Sequence, residues 1–228
     1  MLSIGTLIGK LIDKIFKKPM LITSEQLRQI EPRLTPTRAK EMADLLNEIC
    51  PKYGINTIDI FEEFLANVMQ ESGYFSHKVE NMNYSAERIV QVWPSRFKTI
   101  SEAKPYARNP QLLANKVYGG RMGNNTQNDG WIFRGGGFIG LTGREVYTLY
   151  SKYINQPLEQ TAELVRTTDR YALDSACWFF AKLKGLIDEA ENDEFKKIVK
   201  SINGGYIGLA DRQRYYDKVK QVLNNNTR

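Results

Sequence analysis

The 228-residue sequence holds a single histidine, His77, and two cysteines, Cys50 and Cys177. Two cysteines cannot build a disulfide framework, and with no Cys-x-x-Cys or Cys/His pair there is no zinc site. One histidine leaves a zinc enzyme or a Ser-His-Asp hydrolase short of parts. No run of about 18 apolar residues occurs, so nothing crosses a membrane as a helix. Internal repeats are missing, and low-complexity sequence is confined to residues 224–226. What is present, 42% hydrophobic and 25% charged residues, is the composition of a globular chain of one domain with a short appendage. Carboxylates are left as the catalytic groups.

Basic residues outnumber acidic ones by 32 to 26, a net charge of +6. Lys10, Lys14, Lys17 and Lys18 face only Asp13 near the start, which accounts for half of the excess. A basic surface suits a polyanion such as nucleic acid, anionic lipid or a bacterial envelope. No nucleic-acid-binding motif is present, so nucleic acid is not expected as a partner. Residues 2–16 read as an amphipathic helix, with Ile4, Ile8, Leu11, Ile12 and Ile15 opposite Lys10, Lys14 and Lys17. Two readings of residues 1–20 stay open: an interfacial helix touching a membrane or outer envelope, or a helix docked on its own domain or a second copy. Charge interrupts the apolar positions and no small-residue cleavage site follows, which argues against a secretory signal.

Farther along, caps and helical periodicity recur. Thr35-Pro36 opens a helix to about Lys52, with Ala39, Met42, Ala43, Leu45, Leu46 and Ile49 on its apolar face. Thr57 caps a second, carrying Phe61, Phe64, Leu65, Val68 and Met69 up to Gln70 or Glu71. Shorter helices are expected from Ser85 to Val92, where Pro94 halts the run, and from Asn109-Pro110 to Tyr118. Residues 119–143 then hold nine of the seventeen glycines, which excludes a helix and predicts loops or a small hairpin. Helical patterning returns over 144–153, 167–184, 194–202 and 210–223. The expected fold is mainly α, with a glycine-rich loop region at a cleft.

Glu71 sits at the end of an apolar helix, where partial desolvation favours the neutral acid. Ser72-Gly73 breaks the helix and turns the chain back toward Glu80. On an unbroken helix the two would lie about 13 Å apart on opposite faces. The break makes room for the separation of about 6.5–9.5 Å that inverting glycosidases need, with one carboxyl protonating the leaving oxygen and the other activating water. Thr142, just before a helix, either turns its hydroxyl to a cleft or caps that helix. Asn203-Gly204-Gly205 is a turn after a helix. Arg134 and Arg212 are candidates to pair with Glu71 or Glu80. Tyr84 and Trp131 are candidates to stack on sugars, whereas Trp93 reads as core. His77 reads as a cleft-edge residue.

Six motifs in order make this sequence resemble the lysozyme-like endolysin branch of the family 19 glycoside hydrolases. They begin with Glu71-Ser72-Gly73-Tyr74-Phe75, Glu80-Asn81-Met82-Asn83-Tyr84-Ser85 and Val92-Trp93-Pro94. Asn115-Lys116-Val117-Tyr118 with Arg121-Met122-Gly123-Asn124, then Asp129-Gly130-Trp131 through Leu141-Thr142-Gly143-Arg144, continue the series. Ile202-Asn203-Gly204-Gly205 through Ala210-Asp211-Arg212 closes it. The resemblance spans residues 22–228 and implies a bilobed lysozyme-like fold with a sugar-binding cleft. It implies Glu71 as general acid, Glu80 as general base and Thr142 as the hydroxyl that holds the water. Asn203 and Arg212 match positions that bind sugar or orient the carboxylates.

The implied reaction is inverting hydrolysis of β-1,4 bonds in peptidoglycan, of the N-acetylmuramidase type, with no metal or cofactor taking part. Such an enzyme is made in the bacterial host cytoplasm and acts on the cell wall in the periplasm. A chitinase, or a weakened glycan-binding scaffold, is the alternative. Four positions depart from the family pattern. Gly136 replaces an arginine, Gly140 a glutamine, Val146 an asparagine and Gln70 a histidine. The losses at 136, 140 and 146 are expected to thin the sugar-binding wall and alter its grip, while the two glutamates and the threonine are kept.

Overall fold

The computed structural model describes residues 20–225. The helix expected over residues 2–16 lies outside the described residues. Thr23 opens α1 (Ser24–Ile30) with a capping box, its side chain and that of Gln26 each accepting the other's backbone N–H. Thr35 caps α2 (Pro36–Ile49), which runs into a 3-10 turn (Cys50–Tyr53) stopped by left-handed Gly54. Thr57 caps α3 (Ile58–Glu71). Next come α4 (Ala86–Val92), α5 (Ile100–Ala103), α6 (Pro110–Tyr118) and α7 (Asp129–Ile132). The C-terminal half adds α8 (Arg144–Tyr153), α9 (Leu158–Thr167), α10 (Asp169–Trp178), α11 (Ile187–Glu191), α12 (Phe195–Asn203) and α13 (Leu209–Asn224).

Helices α5, α9 and α11 add to those expected, and two other stretches correct the sequence reading. A one-turn helix, α7, does form inside the glycine-rich stretch. Buried Asp129 organises it by accepting from the Asn125 and Thr126 amides at 2.8 and 3.1 Å and from both ends of the Arg144 fork at 2.8 Å. Second, the helix expected over 167–184 is two pieces: Thr168 caps α10, and residues 179–183 widen into a π turn.

The helices divide into two lobes around separate cores. The larger core has α3 at its centre, where every residue from Ile60 to Met69 is buried, including Glu62, Glu63 and Asn67. Helix α13 lies along it, and α11 and α12 pack at its sides. Being enclosed on all sides fixes the position of the last residue of α3, Glu71. The smaller core gathers Met82, Ala86, Ile89, Phe97, Ala103, Leu113, Ala114 and Val117 from α4, α5, α6 and the segments between them. Cys50 and Cys177 are free, buried thiols within the larger core, with their sulfurs 3.8 Å apart.

Between the lobes the chain makes an unusual turn. Gly73, Tyr74 and Phe75 are all left-handed, with φ of 54°, 62° and 63°. Two of them carry side chains, and such residues cost about 1–2 kcal/mol each in that region. Local bonds hold the turn: Ser72 Oγ donates to the Val68 carbonyl at 2.7 Å and accepts from the Phe75 amide at 2.8 Å. The Tyr74 ring stacks on Tyr215 of α13, with centroids 4.7 Å apart. Residues 78–80 then run beside 135–137. The Glu80 amide donates to Gly135 O and the Gly137 amide to Lys78 O, both at 2.9 Å. Gly136 and Leu141 exchange a pair of bonds at 3.0 and 2.8 Å. These isolated antiparallel bridges are the small hairpin the glycines foretold.

Candidate active site

A cleft of about 420 Å³ opens between the lobes, lined by Glu71, His77, Val79, Glu80, Asn81, Tyr118, Gly135, Gly137, Gly140 and Thr142. The helix break after Glu71 thus brings both glutamates and Thr142 to one space. Each carboxylate is gripped from a different lobe. Glu71, with a quarter of its side chain exposed, forms an ion pair with Arg212 of α13. The same Arg212 nitrogen, Nη2, donates to Asn203 Oδ1 at 3.2 Å, and Nη1 reaches Asn67 Oδ1 at 3.5 Å. Arg212 is itself 7% exposed, so its charge has Glu71 as close counter-ion and little water.

Glu80 is held by donors from elsewhere. The Tyr118 hydroxyl, at the end of α6, donates to Oε1 at 2.6 Å, and the Gly135 amide donates to Oε2 at 3.1 Å. Burial and the Glu80 charge push the Tyr118 phenol well above the ordinary tyrosine range, so it stays a donor. Glycine at 135 leaves Glu80 room: a Cβ there would crowd it, at 3.0 Å from Glu80 Cβ and 3.1 Å from Oε2. Neither Tyr118 nor Gly135 stood out in the sequence as a site residue. Both lie within motifs that carry the family resemblance, Tyr118 also as the last residue of a helix, but neither is assigned a role there.

Thr142 faces the cleft. Helix α8 is capped by Gly143, so the capping alternative for Thr142 falls away. Its hydroxyl donates to the Gly140 carbonyl at 2.8 Å, which leaves the oxygen's lone pairs for an incoming donor such as water.

The other candidates lie off the cleft lining. Arg134 pairs with neither glutamate. Its guanidinium stacks 3.5 Å from the centre of the Trp131 ring and donates to the Trp131 carbonyl at 2.6 Å. Burial, with Arg166 nearby, pushes it down to about 10. Trp131 and Tyr84 pack against the smaller core, Tyr84 edge-on to Trp93 at 5.2 Å. Asn203 is exposed and also precedes the left-handed Gly204 that ends α12, so it serves the turn and Arg212 together.

The departures from the family pattern differ in kind. At Gly136 no side chain fits, because a Cβ would meet the Tyr147 hydroxyl and lie 2.8 Å from Arg166 Cγ. Arg166, buried and donating to the Ile132 carbonyl at 2.5 Å, occupies the space beside Gly136, and neither residue is among those that line the cleft. At Gly140 a Cβ would meet nothing within 4 Å, so there the cleft wall is open. Val146 packs on the larger core instead of reaching the cleft.

No protein-family model matches the chain. A Haemophilus influenzae protein described as a glycosyl hydrolase family 19 domain-containing protein is 34% identical over 155 residues, covering 67% of this chain and 74% of that protein. The chain belongs to glycosyl hydrolase family 19. Solved structures agree on the fold. A bacterial family 19 chitinase matches with a TM-score of 0.59 at 17% identity, covering 89% of this chain and 95% of its own. Chitinase C from Streptomyces griseus HUT6037 matches with 0.57 at 17% identity, covering 90% and 93%. As a family 19 member this chain is a glycoside hydrolase, mainly α throughout its described residues.

Proposed function

We propose that this glycoside hydrolase is an endolysin that cuts β-1,4 bonds of bacterial peptidoglycan with inversion, leaving a reducing-end N-acetylmuramic acid. The observation that carries the two-carboxylate reading is the meeting of Glu71, Glu80 and Thr142 in one cleft between the lobes. Glu71 donates the proton to the leaving oxygen, and Arg212 sets the direction of its carboxyl. Glu80, held between its two donors, takes a proton from water, whose other hydrogen is accepted by Thr142 Oγ1. This division of labour follows the two-carboxylate scheme of inverting glycosidases.

Two features favour peptidoglycan. Gly135, Gly137 and Gly140 give one part of the cleft wall no side chains, and it is open at Gly140. That space suits a sugar bearing a bulky lactyl-peptide at O3, which chitin lacks. The net charge of +6 suits an anionic wall. The second reading is a chitinase, favoured by the two chitinases that share the fold. Release of reducing ends from purified peptidoglycan and from chitin oligomers, measured side by side, separates the two. Faster turnover of peptidoglycan supports the proposal, and turnover of chitin alone overturns it. We assign the site of action to the cell wall after synthesis in the host cytoplasm. Residues 1–20 are proposed to engage the membrane or outer envelope. Their deletion is then expected to weaken lysis of intact cells and to spare purified walls; equal loss on both contradicts the role.

A further inference from the structure

We propose that Tyr118 is a positioning residue for Glu80, setting the angle at which the carboxylate meets the attacking water. This rests on the assignment of Glu80 as general base. The geometry behind it is a two-point clamp. A carboxylate at the end of a flexible side chain rotates freely unless both oxygens are held. Here Oε1 takes the Tyr118 hydroxyl at 2.6 Å and Oε2 takes the Gly135 amide at 3.1 Å. The backbone beneath is fixed as well, since the Glu80 amide donates to Gly135 O at 2.9 Å.

The two points of the clamp differ in what they can tell Glu80. Gly135 belongs to the same bridged segment and moves with Glu80. Tyr118 comes from α6, 38 residues away, and is seated on the smaller core beside Val117 and Trp131. It therefore ties the orientation of Glu80 to the smaller lobe, while Glu71 is tied through Arg212 to the larger one. One lone pair on each Glu80 oxygen stays available to the cleft. A group that acts only by aiming another should matter to turnover and not to substrate affinity, and should lose its effect when the group it aims is removed.

The test compares the full-length protein with Tyr118→Phe, which keeps the ring and its packing and removes the hydroxyl. With peptidoglycan as substrate, kcat is expected to fall about tenfold or more, as misalignment of a reacting group does, with KM and thermal midpoint unchanged. In a Glu80→Ala background rescued by azide, which attacks without a general base, Tyr118→Phe is expected to change the rescued rate less than twofold. An equal loss in both backgrounds, or a loss in KM alone, overturns the proposal. A readout independent of turnover is the ring-carbon NMR signal of ¹³C-labelled Tyr118, assigned by its absence in Tyr118→Phe. It is expected to shift in Glu80→Gln. An unshifted signal refutes the clamp, even if no tested glycan is cut. A shifted signal with no turnover of peptidoglycan or chitin oligomers keeps the clamp and removes Glu80's role as base.

Discussion

Arg212 holds Glu71 and Asn203 with a single nitrogen, Nη2, while its second terminal nitrogen reaches Asn67 inside the larger lobe. The guanidinium is nearly buried and joins α13 to the end of α3. A planar fork can serve three acceptors at once, whereas an ammonium is a point charge on a flexible stem. Arg212→Lys is therefore expected to lower kcat by about 100-fold, on the scale of misplacing a catalytic group. Arg212→Met should also destabilise the fold by about 3 kcal/mol, because Glu71 loses its counter-ion and Oδ1 of buried Asn67 its donor. Steady-state kinetics with urea unfolding checks both. Near-normal turnover in Arg212→Lys would mean that charge alone suffices.

Thr142 separates shape from hydroxyl. With its hydrogen committed to the Gly140 carbonyl, the oxygen acts as an acceptor for water. Thr142→Ser is expected to keep activity within about threefold, and Thr142→Val to lose about 100-fold, the range in which general acid–base assistance works. Equal activity in the two variants would remove the hydroxyl from the mechanism.

Buried Glu63 gives a pH dependence of stability unrelated to turnover. It is fully enclosed in α3 and neither carboxyl oxygen has a hydrogen-bond partner among the described residues. Glu62, Asp193, Tyr216 and Lys220 are the ionisable groups around it. Burial raises its carboxyl from 4.5 to about 8. The folded chain thus keeps a proton that the unfolded chain releases, so stability falls as pH rises from 4.5 to about 8. The slope from this residue reaches about 1.4 kcal/mol per pH unit. Glu63→Gln should flatten it, and urea unfolding at intervals across that window measures the difference. Parallel curves for wild type and variant would show that Glu63 is ionised in the fold.

Gly140 is the position through which the wall can be narrowed. It is left-handed, at φ 68°, with open space beside it. Asparagine tolerates that conformation better than other side chains. Gly140→Asn is expected to reduce activity on peptidoglycan at least about fivefold more than on chitin oligomers, roughly the effect of 1 kcal/mol of lost fit. An equal reduction on both would show that the space does not select the substrate.

The parts of this structure that were legible in the sequence are those set by local chemistry. Thr35, Thr57, Ser85 and Asn109 each cap the helix expected of them, with the side chain accepting the backbone N–H three residues on. The break after Glu71 could be read from Ser72-Gly73. What escaped was set by tertiary packing. The periodicity of α9 is diluted because Thr161 and Arg166 are buried beside Ala162 and Val165, so polar residues occupy apolar places. The burial of Glu62 and Glu63 follows from the enclosure of α3 on every side, which no single helix pattern reveals. Tyr118 becomes a partner of Glu80 only when α6 is packed on the smaller core. Arg166 lies against Gly136 for a similar reason: its side chain arrives from a helix that the sequence pattern did not disclose.

Glu71 is proposed to protonate the leaving oxygen of a peptidoglycan glycosidic bond. Mass spectrometry of the products released from purified peptidoglycan, wild type beside Glu71→Gln, tests it most directly. Disaccharide-muropeptides ending in reducing N-acetylmuramic acid are expected from the wild type, and none from a Glu71→Gln variant with an unchanged circular dichroism spectrum and melting midpoint. The same products from the folded variant, or no products from the wild type, would contradict it.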